Sequence, residues 1–336
     1  MKISLDAGAL CAKANLHFGN YTFTQSLIDS IQKYDQNNEY YTYSFCQKPN
    51  WLDVRDKFHY KVLRPSVLWL STRVSIEEIQ FKKDIFLALN QAIPISTKSK
   101  VISFSHGLSF YFYPQFYPDS HYVLNDQLDP MIKKSNYIVV PSRRVKKEME
   151  KLFPGYSRIK ILNYGVPVDM INYLPAKKRK YFLFVSMNHG IKNIEFLIKT
   201  FKLFRQNKKF SDYKFFLVGN LEKFEDEKNG IYAFPKVTRN EVRKLYSEAT
   251  AYLTASFYES FNFPVLEALS QNCPVIGLDG SIIPEFKDLV NMAYDPTNFL
   301  NLMFTVSQNK GTKFERSEIL KKFSWKKYVA KLVELY

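Results

Sequence analysis

At 336 residues the chain is long enough for two ordinary domains, and 46% hydrophobic against 24% charged residues is the balance of a soluble globular protein. No run of about 18 apolar residues occurs, which excludes a membrane-spanning helix, and Asp6 interrupts the stretch after Lys2 too early for a signal peptide. The net charge of +16 calls for an acidic partner or for solvated basic faces, yet zinc-finger spacing, an RNA-recognition signature and a basic zipper are all absent, so no nucleic-acid partner is expected.

A nucleotide diphosphate or an anionic membrane surface remains as the acidic partner, the membrane offering about 1 kcal/mol per well-placed Lys or Arg. Cys11, Cys46 and Cys273 are odd in number and share no metal-ligand or redox spacing. A reducing cytoplasm is the expected compartment.

In chain order, Lys2-Ile-Ser-Leu5 reads as an opening strand. Gly19-Asn20-Tyr21 then leads into a helix over Thr22 to Ile31, where Phe23, Leu27, Ile28 and Ile31 keep helical spacing. Further strands are expected at Glu39 to Phe45, Lys100 to Phe104, Asn136 to Pro141 and Ile159 to Leu162, with a Lys/Glu-rich helix from Ser142 to Leu152. The aromatic stretch Phe104 to Tyr122 surrounds His106 with Phe110, Tyr111, Phe112, Tyr113, Phe116 and Tyr117. Burial is the usual fate of such rings, and at least half are expected in a core; the remainder suit sugar stacking or a lipid-linked acceptor.

Asn172 to Lys180, with Pro175 and four basic residues, reads as a hinge. Strands follow at Tyr181 to Val185, Lys214 to Val218, Ala251 to Thr254 and Pro274 to Gly277. Helices are expected on the face lined by Ile194, Leu197, Ile198 and Phe201, and from Arg239 to Ser247. The alternation predicts two doubly wound α/β domains, 1–170 and 171–322. In such sheets ligands bind beyond the carboxyl ends of the strands. The loops Gly19-Asn20, His106-Gly107, Asn188 to Lys192, Gly219-Asn220 and Glu259 to Phe263 all lie there, so a ligand in a cleft between the domains is expected.

The most informative segment is Ser256-Phe-Tyr-Glu-Ser-Phe-Asn-Phe-Pro-Val-Leu-Glu-Ala-Leu269. Pro264 suits the first turn of a helix, because the amide hydrogen it lacks would be unpaired there. Glu267 is then expected in that opening turn and Glu259 on the loop before it. Free N–H groups at a helix start attract phosphate, and a neighbouring carboxylate accepts from sugar or ribose hydroxyls. The residues alone fit a capped, solvated helix start better, since helix ends commonly carry acidic residues.

Together these residues resemble the retaining glycosyltransferases of family four, glycosyl transferases group 1, whose pattern is close to Pro-Ser-x-x-Glu-Gly-Phe-Gly-x-Pro-x-Leu-Glu-Ala. The match extends to Lys192-Asn193, Gly219, Ala249, Cys273-Pro-Val-Ile276, Pro284-Glu285 and Phe323-Ser-Trp325. Gly19-Asn-Tyr-Thr22, His106-Gly-Leu108 and Asn163-Tyr-Gly-Val166 are similar to family loops in the first half. The resemblance implies the GT-B fold, with two facing Rossmann-like domains and a deep cleft between them. The first domain would bind acceptor and the second the donor, with the terminal helix 323–336 packing onto the first.

By the same resemblance, Glu267 binds the donor ribose, Glu259 contacts the transferred sugar and Lys192 neutralises the diphosphate as the sugar–phosphate bond breaks. His106 contacts donor sugar or acceptor, or is an ordinary hydrogen-bonded histidine at a strand end. Backbone at Phe261, Asn262, Phe263, Val265 and Leu266 faces sugar and diphosphate, Gly19 and Asn20 approach the phosphates, and the base stacks near Phe234 to Val237. The implied activity is metal-independent, retaining hexosyl transfer without cofactor, in the building of surface polysaccharide. The donor would be a UDP-sugar such as UDP-glucose, with a GDP-sugar second, and the acceptor a glycan or lipid-linked saccharide. The enzyme would work in the cytoplasm, at the inner face of the plasma membrane where it meets anionic lipid.

Three positions depart from the pattern. Val185-Ser186-Met187 replaces Val-Gly-Arg and removes one expected cation, Ser260-Phe261-Asn262 replaces Gly-Phe-Gly and is expected to put bulk beside the sugar, and Gly107 replaces an aspartate. Two rival functions stay open at this point: a catalytically silent sugar-nucleotide or glycan-binding subunit, and a basic protein that binds polyanions or membranes on an α/β scaffold.

Overall fold

Residues 1–12, 19–172 and 175–336 are described by the computed structural model, and they divide into two units: Met1–Gly165 with Ser324–Tyr336, and Val166–Phe323. Of the expected hinge, Tyr173 and Leu174 lie outside the described residues. The boundary falls ahead of the expected one because the turn Val168–Met170 is tied to the second unit. There the Met170 carbonyl accepts from Gln271 Nε2 at 2.7 Å, and Asp169 pairs with Arg239 at 2.6 Å.

Among the described residues, the strands of the first unit are β1 (Lys2–Asp6), β2 (Glu39–Ser44), β3 (Phe58–Val62), β4 (Ile85–Ala88), β5 (Lys100–Phe104), β6 (Tyr137–Val140) and β7 (Ile159–Ile161). All pairs are parallel, in the order β3-β2-β1-β4-β5-β6-β7. A parallel sheet covered on both faces needs near-continuous apolar strands, and every residue of β4 is buried accordingly. Its helices are α1 (Gly19–Tyr34), α2 (Ser75–Gln80), α3 (Ser109–Phe112), α4 (His121–Asp126), α5 (Leu128–Lys134) and α6 (Arg143–Leu152). Ser142 caps α6 by accepting from the Val145 amide.

The second unit has β8 (Tyr181–Val185), β9 (Lys214–Val218), β10 (Ile231–Phe234), β11 (Ala251–Thr254), β12 (Val275–Leu278) and β13 (Asn291–Ala293), again all parallel, in the order β10-β9-β8-β11-β12-β13. Its helices are α7 (Ile194–Gln206), α8 (Arg239–Glu248), α9 (Phe263–Ser270), α10 (Pro296–Ser307) and α11 (Arg316–Lys322). Ile194, Leu197, Phe201 and Phe204 form the buried stripe of α7, and Phe196 meets Phe299 of α10 edge to face at 5.3 Å. A reciprocal capping box between Thr238 and Glu241 opens α8.

The last helix, α12 (Trp325–Val333), belongs to the first unit and packs on α1. Phe23, Phe104, His106, Tyr164, Trp325 and Tyr328 form one aromatic cluster there, with ring centroids 4.7–6.3 Å apart.

Two expectations are corrected in the first unit. Of the aromatic stretch around His106, Phe110 is fully buried, while Tyr111 and Phe112 are 43% and 39% exposed, because the four-residue α3 turns only one ring inward. Cys11 and Cys46 form a disulfide across a separation of 35 residues. The pairing of β1 with β2 brings them together, since the Ala7 amide donates to the Tyr43 carbonyl just past both strands' shared register. In a reducing compartment such a pair stands as two thiols.

Candidate functional site

Each sheet reverses its winding once, between β1 and β4 in the first unit and between β8 and β11 in the second, and such reversals are where doubly wound sheets hold ligands. The loops leaving β8 and β11 carry the residues 186–193 and 255–262. Both Lys192 and Glu259 therefore come from the two strands that flank the reversal of the second sheet.

Lys192 ends a short turn, Gly190–Lys192, held by the His189 side chain, which accepts from the Ile191 amide. Asn193 follows at φ +52°, a left-handed conformation that Asn tolerates, and α7 starts there. The chain reversal carries Lys192 Nζ to 2.7 Å from Glu259 Oε1, with the side chains 19% and 11% exposed. Ser256 Oγ donates to the same Oε1 at 2.7 Å. Two strong donors on one oxygen fix the carboxylate in place.

The helix bearing Glu267 starts at Phe263, with Pro264 in its first turn. Glu267 stands one turn further in than expected, since Asn262 is the cap and the first turn holds no acidic residue. Asn262 also answers the question of bulk. It takes φ +68°, the conformation a glycine would adopt freely, and its side chain turns into the fold. Nδ2 donates to Thr254 Oγ1 at 3.3 Å and to the Ser281 carbonyl at 3.1 Å, while Oδ1 accepts from the Val265 amide. The expected free amides of Val265 and Leu266 are thereby taken up by Asn262, through its side chain and its carbonyl.

Asn262→Ala is expected to cost about 1–2 kcal/mol, through the left-handed backbone and the lost cap. Asn262→Gly is expected to cost less than about 1 kcal/mol, because glycine keeps the backbone at no strain. Urea denaturation of the pair checks this, and equal losses would refute the backbone argument.

Glu267 is 4% exposed and is not alone. Its Oε1 accepts from Arg239 Nη2 at 2.6 Å and its Oε2 from the Tyr246 hydroxyl at 3.3 Å. Arg239 is shared with Asp169, whose Oδ2 lies 2.6 Å from Nε. Burial opposes the charge on Arg239, but Glu267 and Asp169 outweigh it and hold the guanidinium pKa above its ordinary value. Sequence reasoning missed Arg239, Asp169 and Tyr246. One signal was present: an arginine at the first position of a helix opposes the macrodipole, and such a residue needs carboxylates nearby.

Val237 lies just before the Thr238 cap of α8, in the segment 234–237. That segment leaves the end of β10, the third strand of the second unit in chain order.

The other expected site residues belong to the first unit. Gly19 and Asn20 are exposed and open α1 instead of standing in a loop ahead of it; a Cβ on Gly19 would meet nothing within 4 Å among the described residues. His106 follows β5, and both of its ring nitrogens are engaged. Nε2 lies 2.7 Å from the Leu89 carbonyl, which can only accept, so Nδ1 accepts from the Tyr164 hydroxyl at 2.6 Å. Burial lowers the pKa of His106 to about 4, against the opposing pull of the Leu89 bond, and the ring is neutral near pH 7.

With this geometry in place, residues 179–303 match the family model described as Glycosyl transferases group 1. The chain is similar to the O-antigen chain mannosyltransferase RfbU of Salmonella typhimurium, 27% identical over 240 residues that make up 68% of this chain and 65% of that protein. It thus spans a little under two thirds of that relative's length.

Among solved structures, the sucrose-phosphate synthase of Thermosynechococcus elongatus has a TM-score of 0.75 at 12% identity, covering 100% of this chain and 98% of the other. Alr3699/HepE of Anabaena, solved in complex with UDP and glucose, has a TM-score of 0.67 at 12% identity, covering 99% and 98%. The chain has the GT-B fold, with two parallel-sheet α/β domains, and the segment matched by the Glycosyl transferases group 1 model contains Lys192, Arg239, Glu259 and Glu267.

Proposed function

We propose that this chain is a retaining, metal-independent hexosyltransferase that moves a sugar from a nucleotide diphosphate to a glycan or lipid-linked saccharide in surface-polysaccharide synthesis. The observation that carries this reading is the Lys192–Glu259 pair at the sheet's reversal, with Glu267 on the helix that follows, all inside the matched segment 179–303. Lys192 meets the diphosphate as its charge grows, Glu259 contacts the sugar and Glu267 the ribose hydroxyls. Backbone at 261–263 and the segment ending in Val237 complete the donor contacts. His106, neutral and held at both nitrogens, positions its loop and has neither ring nitrogen open for proton transfer.

A UDP-sugar such as UDP-glucose is the proposed donor, in keeping with the UDP and glucose of HepE. The mannosyltransferase name of RfbU favours a second reading, a mannosyl donor carried on GDP. The proposed place of work is the cytoplasmic face of an anionic membrane. The net charge of +16 supports this, as do Tyr122 and Val123 of α4, 72% and 60% exposed. Among the described residues no helix is long and apolar enough to cross a membrane.

The test is release of nucleotide diphosphate from UDP-hexoses and GDP-mannose with an acceptor mixture, with and without EDTA, and the product anomer read by NMR. Transfer that keeps the donor's anomeric configuration and ignores EDTA is the expected result. Glu267→Ala is expected to cost nucleotide binding on the order of 1–3 kcal/mol by calorimetry. Binding without transfer makes the chain a silent sugar-nucleotide subunit, and no binding of any nucleotide diphosphate removes the site assignment.

A further inference from the structure

We propose that Arg239 is a donor-binding residue that supplies a second cation to the nucleotide's phosphates. The inference rests on the donor-site reading above and goes beyond it by adding a residue that reading does not use.

A nucleoside diphosphate brings two or more negative charges, and in a site built from Lys192, Glu259 and Glu267 the lysine is the single cation. Lys192 also shares its charge with Glu259 at 2.7 Å. Met187 stands at the mouth of β8 without a charge. Arg239 is the cation in direct contact with the glutamate assigned to the ribose, 2.6 Å from its Oε1, and its side chain is 46% exposed.

Donor counting points the same way. A guanidinium has five N–H groups in a planar fork. Nε and Nη2 of Arg239 bond Asp169 and Glu267, and Nη1 has no partner among the described residues. Asp169 and Glu267 fix the plane of the fork, so Nη1 is held ready at no further ordering cost. Glu267 accepts one bond on each oxygen and keeps lone pairs for hydroxyls. Arg239 and Glu267 thus form a matched donor and acceptor pair, the carboxylate toward the ribose and Nη1 toward a phosphate oxygen.

Calorimetry with UDP and GDP, and with uridine and guanosine, tests this on the full chain. Arg239→Gln should weaken the diphosphate that wild type binds by roughly ten- to hundredfold, while the matching nucleoside changes by less than about twofold. Asp169→Asn gives the opposite sign and does not rely on the first variant folding. It removes a negative charge from beside the guanidinium while the amide oxygen still accepts from Nε and holds the fork, and diphosphate binding should tighten several-fold. The role of Arg239 is overturned if wild type binds a diphosphate and Arg239→Gln binds it equally well, or if nucleoside and diphosphate weaken together. It is also overturned if Asp169→Asn leaves affinity unchanged or weaker. Wild type that binds none of these ligands overturns the donor-site reading itself, and this inference with it.

Discussion

Lys192→Met is expected to lower sugar transfer by roughly 100- to 1,000-fold in kcat, the usual loss when one fixed donor to a developing anion is removed. Two effects would be mixed in that number. Glu259, 11% exposed, would lose its cation, and breaking one side of a largely buried ion pair costs stability on the order of 1–3 kcal/mol. A double variant, Lys192→Met with Glu259→Gln, separates them. It removes the stranded charge and should regain most of the lost Tm, since the amide still accepts from Ser256 Oγ. The rate should not return, because the diphosphate still departs without its lysine and the sugar has lost the Glu259 carboxylate. Initial rates of nucleotide diphosphate release and thermal melts, run on both variants, check the two parts. Recovery of rate in the double variant would mean that Lys192 acts only through Glu259.

The two-sheet architecture was legible because the largely buried central strands are mostly apolar in the sequence: Tyr181–Val185, Lys214–Val218 and Ala251–Thr254 stand as read. The edge strands β3, β10 and β13 were not, although the edge strand β7 was. β3 mixes Phe58, His59 and Lys61, and β13 is three residues long, so each owes its form to a partner strand and not to its own pattern. β4 is apolar throughout yet only four residues long, too short for periodicity to separate it from a helical turn.

At the site, the glutamates were legible from spacing within one segment, but their partners were not. Arg239 reaches Glu267 across 28 residues and Asp169 across 70, and only the folded sheet sets those distances. Asn262 lies between these cases. Its replacement of a glycine suggested bulk, whereas positive φ sends the side chain inward to Thr254 and Ser281.

Gly219→Ala is expected to destabilise the second unit by about 3 kcal/mol or more, a fall of about 6–12 °C in Tm. Gly219 has φ +127°, which L side chains rarely adopt, and a Cβ there would lie 2.1 Å from the Ser186 carbonyl oxygen. That oxygen is backbone and cannot rotate aside. The amide of Ser186 donates to the Val218 carbonyl at 3.0 Å, and the amide of Gly219 donates to the Phe234 carbonyl at 3.1 Å. The ends of β8, β9 and β10 therefore converge on this one residue, and a methyl group can be admitted only by parting them. Parting them displaces Ser186, and with it the start of the loop that carries Lys192 to Glu259. Activity should consequently fall further than the melted fraction accounts for at the assay temperature. Gly19→Ala is the control of opposite kind: with nothing within 4 Å of the added carbon and a helix to begin, it should leave Tm within about 1 °C. Thermal melts of the two variants side by side decide the matter, and a Gly219→Ala protein as stable as wild type would show that β8 and β9 can separate without strain.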